Sequence, residues 1–137
     1  MGHRLWGHEE AATRQTIRDA VAGFIATALW AGVEYDEEGN SGASLEATYS
    51  QCDIDDEVIQ QIEEEVYDFL ILCWEEDKDL SGIEPGQFGH DFYLTRNRHG
   101  AGFWDRGLGE LGDWLTEMSH PYGEFDLYVG DDGKLYA

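Results

Sequence analysis

Residues able to do chemistry concentrate between positions 89 and 107, in the stretch GHDFYLTRNRHGAGFWDRG. It holds His90, Asp91, Arg96, Arg98, His99, Asp105 and Arg106, with three of the chain's eight basic residues among them. Two imidazoles with a carboxylate from Asp91 or Asp105 make a donor set suited to a divalent metal. His99 and Asp105 could instead act as a general base and the acid that orients it. A third reading is structural: arginines in an acidic chain pair with buried carboxylates, and the glycines let the turn close. Neither chemical spacing matches a specific motif, and no Ser or Cys stands in a nucleophile setting. The structural reading therefore leads. Neither catalysis nor a cofactor is expected, and a metal-binding protein or metal-dependent enzyme built on His90–Arg106 stands as the alternative. His3 and His8 lack a third ligand at metal spacing and read as surface residues.

The elements that must position this stretch follow from periodicity. Residues 8–31 carry Ile17, Ala20, Val21, Phe24, Ile25, Ala28 and Leu29 at helical spacing, with Gly32 as a stop. Residues 33–52 read as a loop, with Leu45–Tyr49 as a short edge strand. Asp36, Glu38 and Asn40 alternate as at the start of a calcium loop. Ser41 then stands where that loop needs glycine and Ala47 where it needs glutamate, so an EF-hand is excluded. A long helix is expected from Asp53 to Asp79, with Val58, Ile62, Val66, Phe69 and Cys73 on its apolar stripe. His90–Thr95 alternates as a strand does, with Phe92 and Leu94 on one side. Phe103–Met118 reads as a helix despite Gly107, Gly109 and Gly112. Residues 124–136 read as a hairpin turning at Asp132-Gly133. The expected fold is one α+β domain over 1–137, with two long helices and a shorter third packed on a small antiparallel sheet.

Composition limits what such a domain can meet. The 137 residues carry 30 acids against eight bases, a net charge of −22, yet 42% are hydrophobic and 13% aromatic. That apolar content builds a core and excludes a disordered acidic tail. The field repels nucleic acid and anionic membrane and attracts basic surfaces. MGHRLWGHEE lacks a basic segment followed by an apolar run, so no signal peptide is expected, and the longest apolar stretch, 20–33, is too short to span a bilayer. Cys52 and Cys73 fall near opposite ends of the long helix and cannot pair. A cytoplasmic protein is the expectation.

The long helix concentrates the charge. Asp53–Asp79 holds twelve acids and one base, Lys78. At ~1.5 Å rise per residue the segment spans roughly 40 Å, or one net charge per ~3.7 Å, close to the ~3.4 Å between phosphates along one DNA strand. Glu57, Glu64, Asp68 and Glu75 fall on the outer line, with Glu63 and Glu65 beside them. Asp36, Glu37 and Glu38 could extend the surface. Ile71 interrupts the outer line within the run from Phe69 to Trp74, so another element or a second copy of the chain should cover it; a homodimer is one outcome.

The patterns G-H-D-F-x-L-T-R-N-x-H-G-A-G-F-W-D-R and Y-G-E-x-D-L-Y-V-G-D-D-G-K-L-Y resemble a family of small acidic proteins of phages and mobile elements, over residues 88–136. The resemblance implies a phage-type accessory protein acting inside a bacterium and carries over no catalytic residue. In kind, such proteins include anti-CRISPR and anti-restriction inhibitors that imitate DNA. The expectation is an acidic inhibitor whose carboxylates occupy the groove of a basic, nucleic-acid-binding host protein, with no direct contact to nucleic acid or membrane.

Overall fold

The computed structural model describes residues 10–35, 38–39 and 41–137. Helix α1 (Glu10–Ala31) follows the apolar spacing, burying Ala20, Phe24, Ile25, Ala28 and Leu29. Gly32 ends it as expected: its N–H returns to the Ala28 carbonyl at 3.0 Å, and a side chain there would meet Leu45. The next segment is not an open loop. β1 (Val33–Tyr35) and β2 (Ser41–Ser44) pair antiparallel, with Val33 opposite Ser44. The edge strand expected over Leu45–Tyr49 is absent. Ser44 instead caps a 3-10 turn over Leu45–Ala47 that buries Leu45.

Helix α2 (Asp56–Glu75) is shorter than the acidic run that contains it. Asp55 is its N-cap, accepting the Glu57 N–H at 3.1 Å, and Asp53 lies outside, bonded to the Ser50 N–H in a capping box. At the other end Asp77 adopts φ 55° and the Lys78 N–H returns to the Cys73 carbonyl at 2.9 Å, which stops the helix before Asp79. Val58, Ile62, Val66, Phe69, Leu70, Cys73 and Trp74 are buried.

The largest correction falls on His90–Thr95. It is not a strand but the second half of α3 (Pro85–Arg96). Pro85 occupies the first turn, where its missing N–H costs nothing. The alternation of Phe92 and Leu94 misleads because Asp91, Tyr93, Thr95 and Arg96 between and beyond them are buried too. A helix enclosed on all sides has no polar face and therefore no helical period to read. Glycines permit this enclosure: a Cβ on Gly89 would lie 1.8 Å from the Ala20 carbonyl oxygen, and one on Gly23 2.1 Å from that of Gly86. α1 and α3 thus cross backbone to backbone.

Helix α4 (Glu110–Ser119) also begins later than expected. Phe103–Asp105 forms one 3-10 turn, and Gly107 and Gly109, at φ 69° and 64°, separate it from the helix. β3 (Tyr128–Val129) and β4 (Leu135–Tyr136) make the expected hairpin, with Gly133 at φ 83° in its turn. The Asp55 N–H bonds the Leu135 carbonyl at 2.9 Å, so this hairpin is fastened to the start of α2.

The class is α+β, but the arrangement differs from the expected one. Among the described residues there are four α-helices and two separate two-stranded antiparallel sheets, not three helices on one sheet. The missing sheet strand is α3. The helices meet in an aromatic cluster: Phe69 of α2 stacks on Phe92 of α3 at 4.5 Å, and Phe24 of α1 meets Tyr93 and Phe125 edge-on at 5.4 and 5.2 Å. No helix of the described residues is long and apolar enough to cross a membrane.

Candidate functional site

The outer side of α2 presents Glu57, Glu63, Glu64, Asp68 and Glu75 as exposed carboxylates. Among the described residues no Lys or Arg forms an ion pair with any of these five. Gln60 donates to Glu64 at 3.3 Å, a helical i,i+4 contact that leaves the charge unneutralised. Tyr67, 49% exposed, stands at helical spacing between Glu63, Glu64 and Ile71. An aromatic ring flanked by carboxylates suits a guanidinium, which takes both the ring face and the charge. Sequence reading passed over Tyr67 because one exposed aromatic in an acidic run carries no motif.

Two of the expected face residues have a second task. Glu65 is only partly exposed and lies 2.6 Å from Arg96 Nη1, while Gln61 donates to it at 3.0 Å. Asp68 accepts the Tyr122 hydroxyl at 2.6 Å. Burial first, and then that bond, hold the Tyr122 phenol well above its ordinary range. Both acids therefore tie α2 to the core. Glu38 is exposed; Asp36 and Glu37 lie outside the described residues, as do His3, His8 and Asn40. Ile71 is half-buried against the core, so the fold itself covers part of the side for which another element or a second copy was expected.

The His90–Arg106 stretch is dispersed by α3. Arg96, 2% exposed, donates from Nε to the Gly123 carbonyl at 2.8 Å and from Nη2 to that of Tyr122 at 2.9 Å. Its third nitrogen meets Glu65, and the guanidinium carbon lies 5.1–5.7 Å from the rings of Phe24, Phe92, Tyr122 and Phe125. Asp91, fully buried, takes a two-pronged contact from Arg106: Nη2 at 2.8 Å to one oxygen and Nε at 3.1 Å to the other. Gln87 donates to the same carboxylate at 2.8 Å. The hydrogen bonds of Arg106 to Asp91 raise the Arg106 pKa above its ordinary value. Thr27 donates to the Gly23 carbonyl, so its 2.7 Å contact with His90 requires the imidazole to donate from Nδ1. His99 is exposed beside Tyr93, and Asp105 is exposed. Among the described residues no group of three His, Cys, Asp or Glu could hold a metal ion. The ligands that the metal alternative needs are thus not gathered, and Asp91 is already engaged by Arg106.

A cavity of about 460 Å³ opens beside the Asp91–Arg106 pair, lined by Gly82, Ile83, Glu84, Gln87, Asp91, Arg106 and Leu108. Glu84 and Gln87 escaped the sequence reading because the start of α3 did. Pro85 after an acid, with Gln87 four residues before Asp91, is the signal that could have found them. Cys52 is exposed and Cys73 buried, both free; burial pushes the Cys73 thiol up to about 12. No family model matches the chain, and neither a curated protein nor a solved structure matches it.

Proposed function

We propose that this protein is an acidic inhibitor of the phage type that blocks a nucleic-acid-binding protein of host defence, an anti-CRISPR or anti-restriction protein in kind. It acts without catalysis, in the cytoplasm of the host, by presenting α2 where a nucleic-acid backbone would lie. One observation carries the reading: Glu57, Glu63, Glu64 and Glu75 are exposed along one helix with no cation paired to them among the described residues. A solvated helix face in a chain with scarce bases should draw those bases towards it. Here Arg96 is spent on Glu65 at the inner edge of the helix and Arg106 on Asp91, and these four carboxylates have no counter-ion among the described residues. Tyr67 adds a ring on which an arginine of the partner can stack.

The test is competition. The partner should be displaced by duplex DNA, and its affinity should fall steeply between low and moderate salt, because many screened contacts supply the binding. Reversing Glu57, Glu63, Glu64 and Glu75 to Lys should abolish inhibition in a folded protein. Asp68 is left out of that set because it holds Tyr122. A folded fourfold variant that still inhibits would refute the reading.

A further inference from the structure

The cavity beside α3 is a second place where a basic partner can be gripped, and it works differently from α2. Its walls are Ile83 from the α2–α3 connection and Leu108 from the loop before α4. Its polar groups are ordered by the buried pair beneath. Asp91 only accepts, so Gln87 must present its amide nitrogen to it, which leaves the Gln87 carbonyl oxygen as an acceptor with no partner among the described residues. Three residues earlier on the same helix start, Glu84 is exposed; its carbonyl accepts the Phe88 N–H, but among the described residues its carboxylate has no hydrogen bond or ion pair. Asp105, exposed next to Arg106, adds a further negative charge that Arg106 feels.

Arg106 is the one cation on the lining, and two of its three nitrogens are already fixed on Asp91. The pair is close to neutral as a unit, so Glu84 sets the sign of the lining within a chain of net charge −22. The uncapped start of α3 favours an anion in the opposite sense, by about half a charge. One full carboxylate at that position outweighs it. A long apolar stem with a planar cation at its end fits this set: the stem lies on Ile83 and Leu108, and the fork bridges the Glu84 carboxylate and the Gln87 carbonyl.

We propose that this cavity receives an arginine side chain of the protein partner, as an anchor separate from the α2 face. The proposal rests on the inhibitor reading for the existence of a basic partner, but the site itself can be examined without it. The whole protein is titrated with the capped tripeptide acetyl-Gly-Arg-Gly-amide while backbone amide shifts are recorded. Shifts should concentrate at 82–87 and 106–108. They should persist in the variant with Glu57, Glu63, Glu64 and Glu75 changed to Lys, which separates this site from the α2 reading. Exposed Glu84, changed to Lys, should weaken the peptide by about tenfold or more without unfolding the chain. Shifts spread evenly over all acidic surfaces, or unaffected by Glu84→Lys, would overturn the proposal. So would inorganic phosphate moving the same amides while the peptide does not, since that makes the cavity an anion site. Agmatine binding tenfold tighter than the peptide would assign it to a free metabolite and also overturn it.

Discussion

Helices α2 and α3 treat charge in opposite ways. α2 keeps its carboxylates outside and its apolar stripe inside, so five of its acids stand in water with no cation paired to them among the described residues. α3 is buried from Asp91 to Arg96, carries one charge of each sign within that stretch, and satisfies both with partners from elsewhere in the chain. Glu65 links the two, leaving the acidic face to neutralise Arg96. Charge on the outer side of α2 is thus left without a counter-ion among the described residues, whereas charge on α3 holds the fold together. Substitutions should separate these roles cleanly.

The largest effect is expected at Arg96. Removing a guanidinium that is 2% exposed leaves Glu65 without its counter-ion, frees two carbonyls and empties the space between four rings. Losing one partner of such a pair typically costs ~3–5 kcal/mol. Arg96→Ala should shift the urea midpoint accordingly, and Arg96→Lys should recover little, because a point charge cannot reach three directions at once. A loss below about 1 kcal/mol, the range of exposed pairs, would mean that α3 is no more a structural centre than α2.

This difference also decided what could be read from the sequence. α2 was legible because one side faces water: its apolar stripe and its acids alternate at the helical period, and Asp55 marks its start. The exposed acids Glu57, Glu63, Glu64 and Glu75 were therefore found, although nothing local revealed that Glu65 and Asp68 also bond inward to Arg96 and Tyr122. α3 was illegible because from Asp91 to Arg96 it has no wet side. Its buried Asp91 and Arg96 look polar, and its Gly86 and Gly89 look like breakers, until α1 is laid against them. Pairing across 15 positions from Asp91 to Arg106 leaves no spacing signal. The cavity was lost for the same reason, since two of its groups, Glu84 and Gln87, belong to the beginning of that helix.

A sharper contrast comes from the sign of the next effect. Changing Glu57, Glu63, Glu64 and Glu75 to Lys takes the net charge from −22 to about −14. These carboxylates repel one another and their neighbours in the folded state, so the variant should be as stable as the parent or more stable at low ionic strength. Added NaCl should raise the parent's melting temperature and raise the variant's less, because screening has less repulsion to relieve. Thermal melts across a salt series check both statements. A variant that melts well below the parent at every salt concentration would show that the face supports the fold.

The smallest effect lies on the inner side of α2 and appears only at high pH. Burial holds the Cys73 thiol at about 12, well above its ordinary value. In the unfolded chain the same thiol loses its proton near pH ~8.5. Between those values the folded state binds the extra proton, so stability is complete below the unfolded value and declines as pH rises through the window. Tyr122, also raised, adds to the decline above its own ordinary value. Cys73→Ala lacks the thiol proton, so its stability should fall less between pH 8.5 and 10, even if a small cavity lowers it throughout. Urea unfolding at several pH values measures the two slopes. Equal slopes would mean that Cys73 meets water in the folded protein. The inner side of α2 would then be less sealed than the interior around α3.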